Sequence, residues 1–385
     1  MAEILNKFFS IFQRQERFLV VEILNKFLKI CYLKVNFSKK SFEVAKVEFL
    51  NHEQESHAAI FNLLRQLLKK FGNPKRYRVI VALDSAFATT IHSSVVLARD
   101  KPAQPIEGPD LENHIAQGIW RLFDKARGPA AEKMSVGDLD VTLTNVEVRG
   151  IKLDGHKVVN PLGFKAKTIE VQFIQTFNPR LLVTELKTVI PEDRIMFMAE
   201  SGSMGAEIFA RAGGVKNFFF IELLSDCAHL FFSDGASITH LNTFDWGRKN
   251  FVNLLSEFFS VSMAAAERIF ESCLMRQTSP LLLRKIEKMF GEEFGKLASA
   301  AGTAIVKYRP ECVYLLSFFN LPTFIFGSLF RTHAGIKTRF LPVHHDLIKE
   351  KLGFEIKIKR GVENVNFFSP LAGILGRYFL PQDDK

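Results

Sequence analysis

Phe18-Leu19-Val20-Val21-Glu22-Ile23-Leu24-Asn25-Lys26-Phe27-Leu28-Lys29 is the stretch on which the fold turns. Its apolar run Phe18–Ile23 reads as a buried strand, and a turn leads into a second strand, Leu28–Phe37, with a third at Phe42–Phe49. One carboxylate, Glu22, stands inside the first strand. An amphipathic helix from His57 to Phe71 and a further strand at Tyr77–Leu83 follow, so the chain opens in α/β style. Some 200 residues later the pattern returns. Phe218–Leu224 carries Glu222, and after a turn Ala228–Phe232 runs through Ser233-Asp234-Gly235 into Ser237–Phe244.

Between these two units lies an apparent insert. A Pro/Gly-rich stretch, Pro102–Pro109, precedes a helix at Asp110–Ala126 and two strands, Asp140–Leu153 and Ala166–Thr176, joined through Asp154-Gly155 and Asn160-Pro161-Leu162-Gly163. Helices at Pro179–Val189 and Ser201–Ala212 lead to the second unit, and a helical half runs from Gly247 to Ala301. Val313–Phe319 reads as a strand, Asn320-Leu321-Pro322 as a turn, Thr323–Phe330 as the start of a buried helix, and Leu371–Phe379 as a closing helix.

Composition narrows the class. Of 385 residues, 47% are hydrophobic and 24% charged, which excludes a disordered or collagen-like chain. The aromatic content is 39 Phe against five Tyr and two Trp, apolar bulk that favours packing over polar recognition. A net charge of +10 suits an acidic partner such as an anionic membrane. Part of it, a net +5, falls between Arg331 and Arg360 and reads as a solvated basic face. Nucleic-acid binding is not expected, because Phe340 and Phe354 sit among apolar neighbours rather than as exposed stacking platforms. Cys31, Cys227, Cys273 and Cys312 are too scattered for a disulfide framework or zinc knuckle, and a reducing cytosol fits.

No secretory signal is visible near the N-terminus. Cys312–Phe330 runs 19 residues without a charge, but Asn320, Pro322 and Gly327 interrupt it, so a strand and a helix are expected there rather than a membrane span. The first 17 residues read as an amphipathic helix, with Ile4, Leu5, Phe8, Ile11 and Phe12 on one side and Phe9 beside them. Such a face fits a membrane interface, and equally the surface of its own domain or of a partner subunit.

The two strand-turn-strand units with an insert in the first half resemble the actin-like ATPase fold, and more specifically the bacterial FtsA/PilM group. The first phosphate motif of that group is an Asp-Ile-Gly-Thr/Ser run leading to Val-Lys. Lys29 matches the final Lys, while Glu22 and Leu24 replace Asp and Gly, and Asn25 and Lys26 fill the turn. The second motif, Asp-Ile-Gly-Gly-Gly-Thr-Thr-Asp, is represented by Glu222-Leu223-Leu224-Ser225-Asp226-Cys227-Ala228-His229. The adenosine strand, which ends in Gly-Gly in the family, reads Val313-Tyr314-Leu315-Leu316-Ser317-Phe318-Phe319. Trp246-Gly247-Arg248 falls where the family has a later glycine, and Ser369-Pro370-Leu371-Ala372 matches its closing helix. Asp154-Gly155-His156 with Asn160-Pro161-Leu162-Gly163 is similar to the FtsA-type subdomain.

The resemblance implies an α/β, actin-like (ribonuclease H-like) two-domain fold with a small α/β insert of FtsA type. Its parts would be an amphipathic helix over 1–17, domain 1 over 18–84 and 178–214, the insert over 85–177, domain 2 over 215–365, and a closing segment over 366–385. It also implies ATP and Mg²⁺, but a phosphate cradle needs glycine, because its N–H groups must reach phosphate oxygens with no Cβ in the way. All three cradles lack it, Asp226 adds a carboxylate where a triphosphate would lie, and Phe318 and Phe319 fill adenosine space. The expectation is therefore no bound cofactor, no metal and no catalytic residue. The competing reading is an ATPase in which Glu22, Glu200, Glu222 and Asp226 hold Mg²⁺. His229 reads as a satisfied, partly buried histidine. By resemblance, the chain is a scaffold at the cytoplasmic face of the membrane. It would either anchor a division filament and bind an FtsZ-like protein, with self-assembly into filaments, or serve as a pilus platform binding a PilN-like inner-membrane protein. The insert puts the division role narrowly first.

Overall fold

The computed structural model describes residues 15–24, 26–51, 57–212, 215–321, 331–333, 336–359 and 374. In chain order these form β1 (Gln15–Leu24), β2 (Phe27–Asn36), β3 (Ser41–Asn51), α1 (His57–Lys69), β4 (Arg78–Leu83), β5 (Thr89–Ala98), α2 (Gly108–Lys133), β6 (Val141–Leu153), β7 (His156–Val158) and β8 (Thr168–Pro179). Then come α3 (Arg180–Val189), β9 (Ile195–Glu200), α4 (Ser201–Ala212), β10 (Phe218–Leu223), β11 (Ala228–Ser233), β12 (Ile238–Phe244), α5 (Arg248–Phe259), α6 (Met263–Leu274), α7 (Pro280–Ala300) and α8 (Gly302–Tyr308). The remaining elements are β13 (Cys312–Ser317), β14 (Arg331–His333), β15 (Ile336–Pro342), α9 (His345–Leu352) and β16 (Glu355–Ile358). The described residues divide into two compact units, 15–211 with 354–359 and 374, and 212–353.

The first unit is built on a six-stranded sheet, β16-β3-β2-β1-β4-β9. β1 lies antiparallel to β2 and parallel to β4, and β4 is parallel to β9. This central position explains the near-continuous apolar run of β1, since such a strand is buried on both faces. Leu19, Val21 and Ile23 pack with Ile60, Phe61 and Leu64 of α1 and with Leu182 and Leu186 of α3. After the second unit the chain returns, and β16 pairs in parallel with β3, Glu355 against Ser41.

The second unit repeats the plan, with a sheet ordered β12-β11-β10-β13-β15-β14. β10 is antiparallel to β11 and parallel to β13. Phe219, Ile221 and Leu223 share one core with Phe251 of α5, Phe270 of α6, and Phe290 and Phe294 of α7. The rings are in direct contact, with centroids 4.7 Å apart for Phe251–Phe290 and 5.2 Å for Trp246–Phe251. Much of the phenylalanine excess is thus helix-to-sheet packing, each ring contributing about 1.5–3 kcal/mol on burial.

The insert is a four-stranded antiparallel sheet, β5-β8-β6-β7, with α2 packed on it. Asp154 and Gly155 form the two-residue turn of the β6–β7 hairpin with φ of 48° and 86°, the turn type that Asp-Gly favours. Two of its strands, β5 and β7, were not expected from the sequence, and β9 of the main sheet was not either. α2 runs on to Lys133 past the expected end at Ala126 and through Pro129, because Ala130, Ala131 and Met134 bury themselves against Val141 and Phe177. Gln15, Glu16 and Arg17 belong to β1 and not to a preceding helix, with Glu16 paired to Arg78 at 2.6 Å. The amphipathic face Ile4, Leu5, Phe8, Phe9, Ile11 and Phe12 lies outside the described residues, as do Thr323–Phe330 and most of the closing helix. Among the described residues no helix is long and apolar enough to cross a membrane.

Candidate functional site: two matched hairpins

In the β1–β2 hairpin Glu22 stands directly across from Lys29, and Leu24 across from Phe27. The connection is the dipeptide Asn25-Lys26. Asn25 lies outside the described residues, and Lys26 is exposed with φ of 57°. Cross-strand neighbours on one face of a sheet touch, and Lys29 Nζ lies 2.5 Å from Glu22 Oε2. Both side chains are withdrawn from solvent, at 1% and 0% exposure. Each charge thereby offsets the desolvation of the other, and neither is presented outward. The ammonium also lies 5.9 Å from the Phe27 ring, which stacks on Phe49. Two residues along β2, burial pushes the Cys31 thiol up to about 12, against the pull of the Lys29 charge.

The β10–β11 hairpin has the same register. Glu222 faces His229, Leu223 faces Ala228, and Leu224 N–H donates to the Cys227 carbonyl at 2.9 Å. Ser225-Asp226 therefore occupies the place that Asn25-Lys26 takes in the first hairpin, Ser225 exposed and Asp226 half-buried. His229 is buried; its Nδ1 lies 2.9 Å from Thr243 Oγ1 and its Nε2 3.7 Å from Cys227 Sγ. The start of α5 closes on this turn. Arg248 N–H donates to Leu224 O at 3.2 Å and Lys249 N–H to Ser225 O at 2.9 Å. A helix N-terminus normally offers such donors to an anion, and here they are spent on the chain's own carbonyls. Gly247 makes the approach possible, since a Cβ there would stand 2.5 Å from both carbonyl oxygens. On the neighbouring strand, Phe318 N–H donates to Leu223 O at 3.0 Å and Ser317 Oγ donates to Phe319 O at 2.6 Å.

Two further buried carboxylates lie at the carboxyl ends of the parallel strands of the first unit. Asp84 follows β4, donates its N–H to Ile23 O at 2.9 Å and accepts from Ala86 N–H at 2.8 Å. Glu200 ends β9 and accepts from Ser85 Oγ and Lys133 Nζ, both at 2.6 Å, and from Thr90 N–H at 3.1 Å. Ser85 and Thr90 lie where the chain leaves for the insert, and Lys133 is the last residue of α2, so Glu200 ties the root of the insert to the main sheet. Arg211 of α4 adds a second tie, to Glu147 of β6 at 3.3 Å. Of the four carboxylates grouped by the Mg²⁺ reading, Glu22 and Glu200 are engaged by protein cations in the first unit, and Glu222 and Asp226 belong to the second. Sequence reasoning missed Asp84, Ser85, Thr90 and Lys133. The only local signal was the end of an apolar strand at Leu83, and the contacts join residues more than 60 positions apart.

No protein-family profile matches the chain, and no curated protein does. Solved structures match along nearly its whole length. A chain of a PilM-PilN type IV pilus biogenesis complex superposes with a TM-score of 0.52 at 14% identity, covering 94% of this chain and 98% of that one. A ROK family glucokinase from Streptomyces griseus, in complex with glucose and AMPPNP, matches at 0.45 and 9% identity, covering 94% and 97%. A Bacteroides thetaiotaomicron protein with actin-like ATPase fold and unknown function matches at 0.41 and 9% identity, covering 93% and 95%. The chain has an actin-like ATPase fold.

Proposed function

We propose that this protein is a non-catalytic actin-like platform at the cytoplasmic face of a membrane, holding an inner-membrane component of a pilus or secretion machine as PilM is joined to PilN. The observation that carries the loss of catalysis is the buried Glu22–Lys29 pair at 2.5 Å. Lys29 is the one charged residue of the first phosphate motif that the sequence preserves, and its ammonium is committed to a carboxylate inside the sheet. Exposing it to a phosphate would leave Glu22 charged and alone in the interior, a change costing about 3–5 kcal/mol. The α5 N-terminus, closed by Leu224 and Ser225 carbonyls, supports the same reading. Phe318 and Phe319 in place of the family's glycines are, on this proposal, part of the same loss.

The pilus-type platform is placed ahead of the division-ring anchor because the structure that superposes at a TM-score of 0.52 comes from a PilM-PilN complex. The second reading, an FtsA-like anchor, rests on the similarity of Asp154-Gly155-His156 and Asn160-Pro161-Leu162-Gly163 to the FtsA-type subdomain. Thermal unfolding with and without Mg-ATP tests the first claim. No shift is expected. A ligand present at 100 times its Kd stabilises by about 2.7 kcal/mol, so a rise of several degrees at millimolar nucleotide refutes the pseudo-ATPase. Purification from a native membrane extract separates the two roles: a PilN-like partner supports the platform, and an FtsZ-like partner replaces it with the anchor.

A further inference from the structure

The tip of the insert carries apolar side chains that the fold holds out into solvent. Val159 is 86% exposed, Leu162 44% and Phe164 55%, all within one short stretch after β7. Soluble surfaces expose single apolar residues freely, but three on one short loop, one of them a phenylalanine, exceed such scatter and point to a contact site. The loop has not simply failed to fold inward. Gly163 N–H donates to Ile106 O at 2.9 Å and Ile106 N–H returns a bond to Phe164 O at 2.8 Å. Asn160 Oδ1 accepts from Leu162 N–H at 3.1 Å, and the buried Arg99 guanidinium donates to the Ala166 and Gln104 carbonyls. The backbone is fixed, and the apolar groups are presented.

The loop's own charge has one sign. From Gly155 to Lys167 the charged residues are Lys157, Lys165 and Lys167, all exposed. The nearest acid in sequence, Asp154, turns its carboxylate onto the Thr168 and Lys167 N–H groups at 2.8 and 3.0 Å, which hold its pKa below the ordinary carboxylate value. Asp100 and Glu107, with Lys101, border the loop through the Arg99 and Ile106 backbone bonds to Lys167, Gly163 and Phe164, so the uniform positive charge is that of the loop's own residues.

We propose that this tip is a lipid-contact surface, with Val159, Leu162 and Phe164 entering the interfacial zone of an anionic bilayer and Lys157, Lys165 and Lys167 meeting its head groups. The inference rests on the membrane-peripheral part of the functional proposal and is independent of the nucleotide claim. A bilayer is favoured over a peptide because a side chain 86% open is not enclosed by a groove and the loop's own charges are all lysines. Apolar tips flanked by lysine gain from both burial and surface potential at such an interface.

The test is sedimentation of the full chain with vesicles of phosphatidylglycerol in phosphatidylcholine. The wild type is expected to pellet. Replacing Val159, Leu162 and Phe164 together by Ser should weaken binding by about tenfold or more, and Lys157→Gln, Lys165→Gln and Lys167→Gln together should weaken it less and remove its salt dependence. These are surface positions, and unchanged thermal unfolding confirms that both variants are folded. Failure of the wild type to pellet, or unchanged pelleting of both variants, overturns the proposal. If the Ser variant pellets normally but loses a co-purifying protein, the tip is a protein-binding surface and the lipid assignment falls. Mg-ATP binding would refute the pseudo-ATPase and leave these outcomes untouched.

Discussion

The β1–β2 and β10–β11 hairpins share one register and differ in what they place inside it. Both put a buried glutamate two residues before the last paired leucine position and a basic or titratable side chain directly across from it, Lys29 in one and His229 in the other. The first hairpin neutralises its glutamate with a full ammonium at 2.5 Å. The second holds its histidine in a hydrogen-bonded chain with Thr243, and His240 Nε2 lies 3.1 Å from the same hydroxyl. On the proposed loss of catalysis, one backbone plan frames two different chemistries. The same turn geometry holds a buried ion pair in one copy and a polar cluster in the other.

Breaking the ion pair from one side should have the largest effect. Lys29→Met leaves Glu22 charged and buried, and a loss of about 3–5 kcal/mol in a urea midpoint experiment is expected. The paired change Glu22→Leu with Lys29→Met should be neutral or up to about 4 kcal/mol more stable than the wild type. In the second hairpin, His229→Ala removes the bond to Thr243, and about 1–3 kcal/mol should be lost. Equal losses in the two hairpins, or a double variant as unstable as Lys29→Met, would remove the distinction between them.

Gly247→Ala probes the feature that only the second hairpin has, the helix start seated on its turn. A Cβ there meets two carbonyl oxygens at 2.5 Å, and overpacking of this kind costs about 1–3 kcal/mol. Thermal unfolding measures it. A neutral result would mean that α5 can retreat from Leu224 and Ser225, and that its N-terminus is open to a ligand after all.

The hairpins themselves were readable because an uninterrupted apolar strand, a short polar turn and a second apolar strand leave little choice of pairing. Gly247 was matched by resemblance, but its reason, the approach of two carbonyls, is a tertiary fact. Asp154-Gly155 was readable as a turn because few dipeptides adopt two positive φ values. β5 was missed because Thr89-Thr90-Ile91-His92-Ser93-Ser94 alternates weakly and is polar at an edge of its sheet. β9 was missed because Ile195–Glu200 is short and rich in Met. The greatest surprise is Lys29. A lysine in a phosphate motif reads as a ligand-facing group, and sequence has no signal for burial except the register that places Glu22 opposite.

The smallest effect compares the cysteines that the two hairpins carry. Cys31 is buried two residues beyond Lys29, whereas Cys227 is half-exposed beside the second turn. With its thiol raised from 9.0 to about 12 by burial, Cys31 is a thiolate in about one molecule in ten thousand at pH 8. Cys273 is likewise shifted upward by burial, and Cys312 is buried. Iodoacetamide at pH 8 followed by mass spectrometry should therefore label Cys227 first, and prior labelling of Cys31 would place β2 in an exposed or opening part of the sheet. The same shift has a stability consequence. A folded-state pKa above the unfolded one gives a contribution that is whole below pH 9.0 and is lost as the pH rises toward about 12. Cys31→Ala should make the alkaline fall in unfolding free energy shallower over that window.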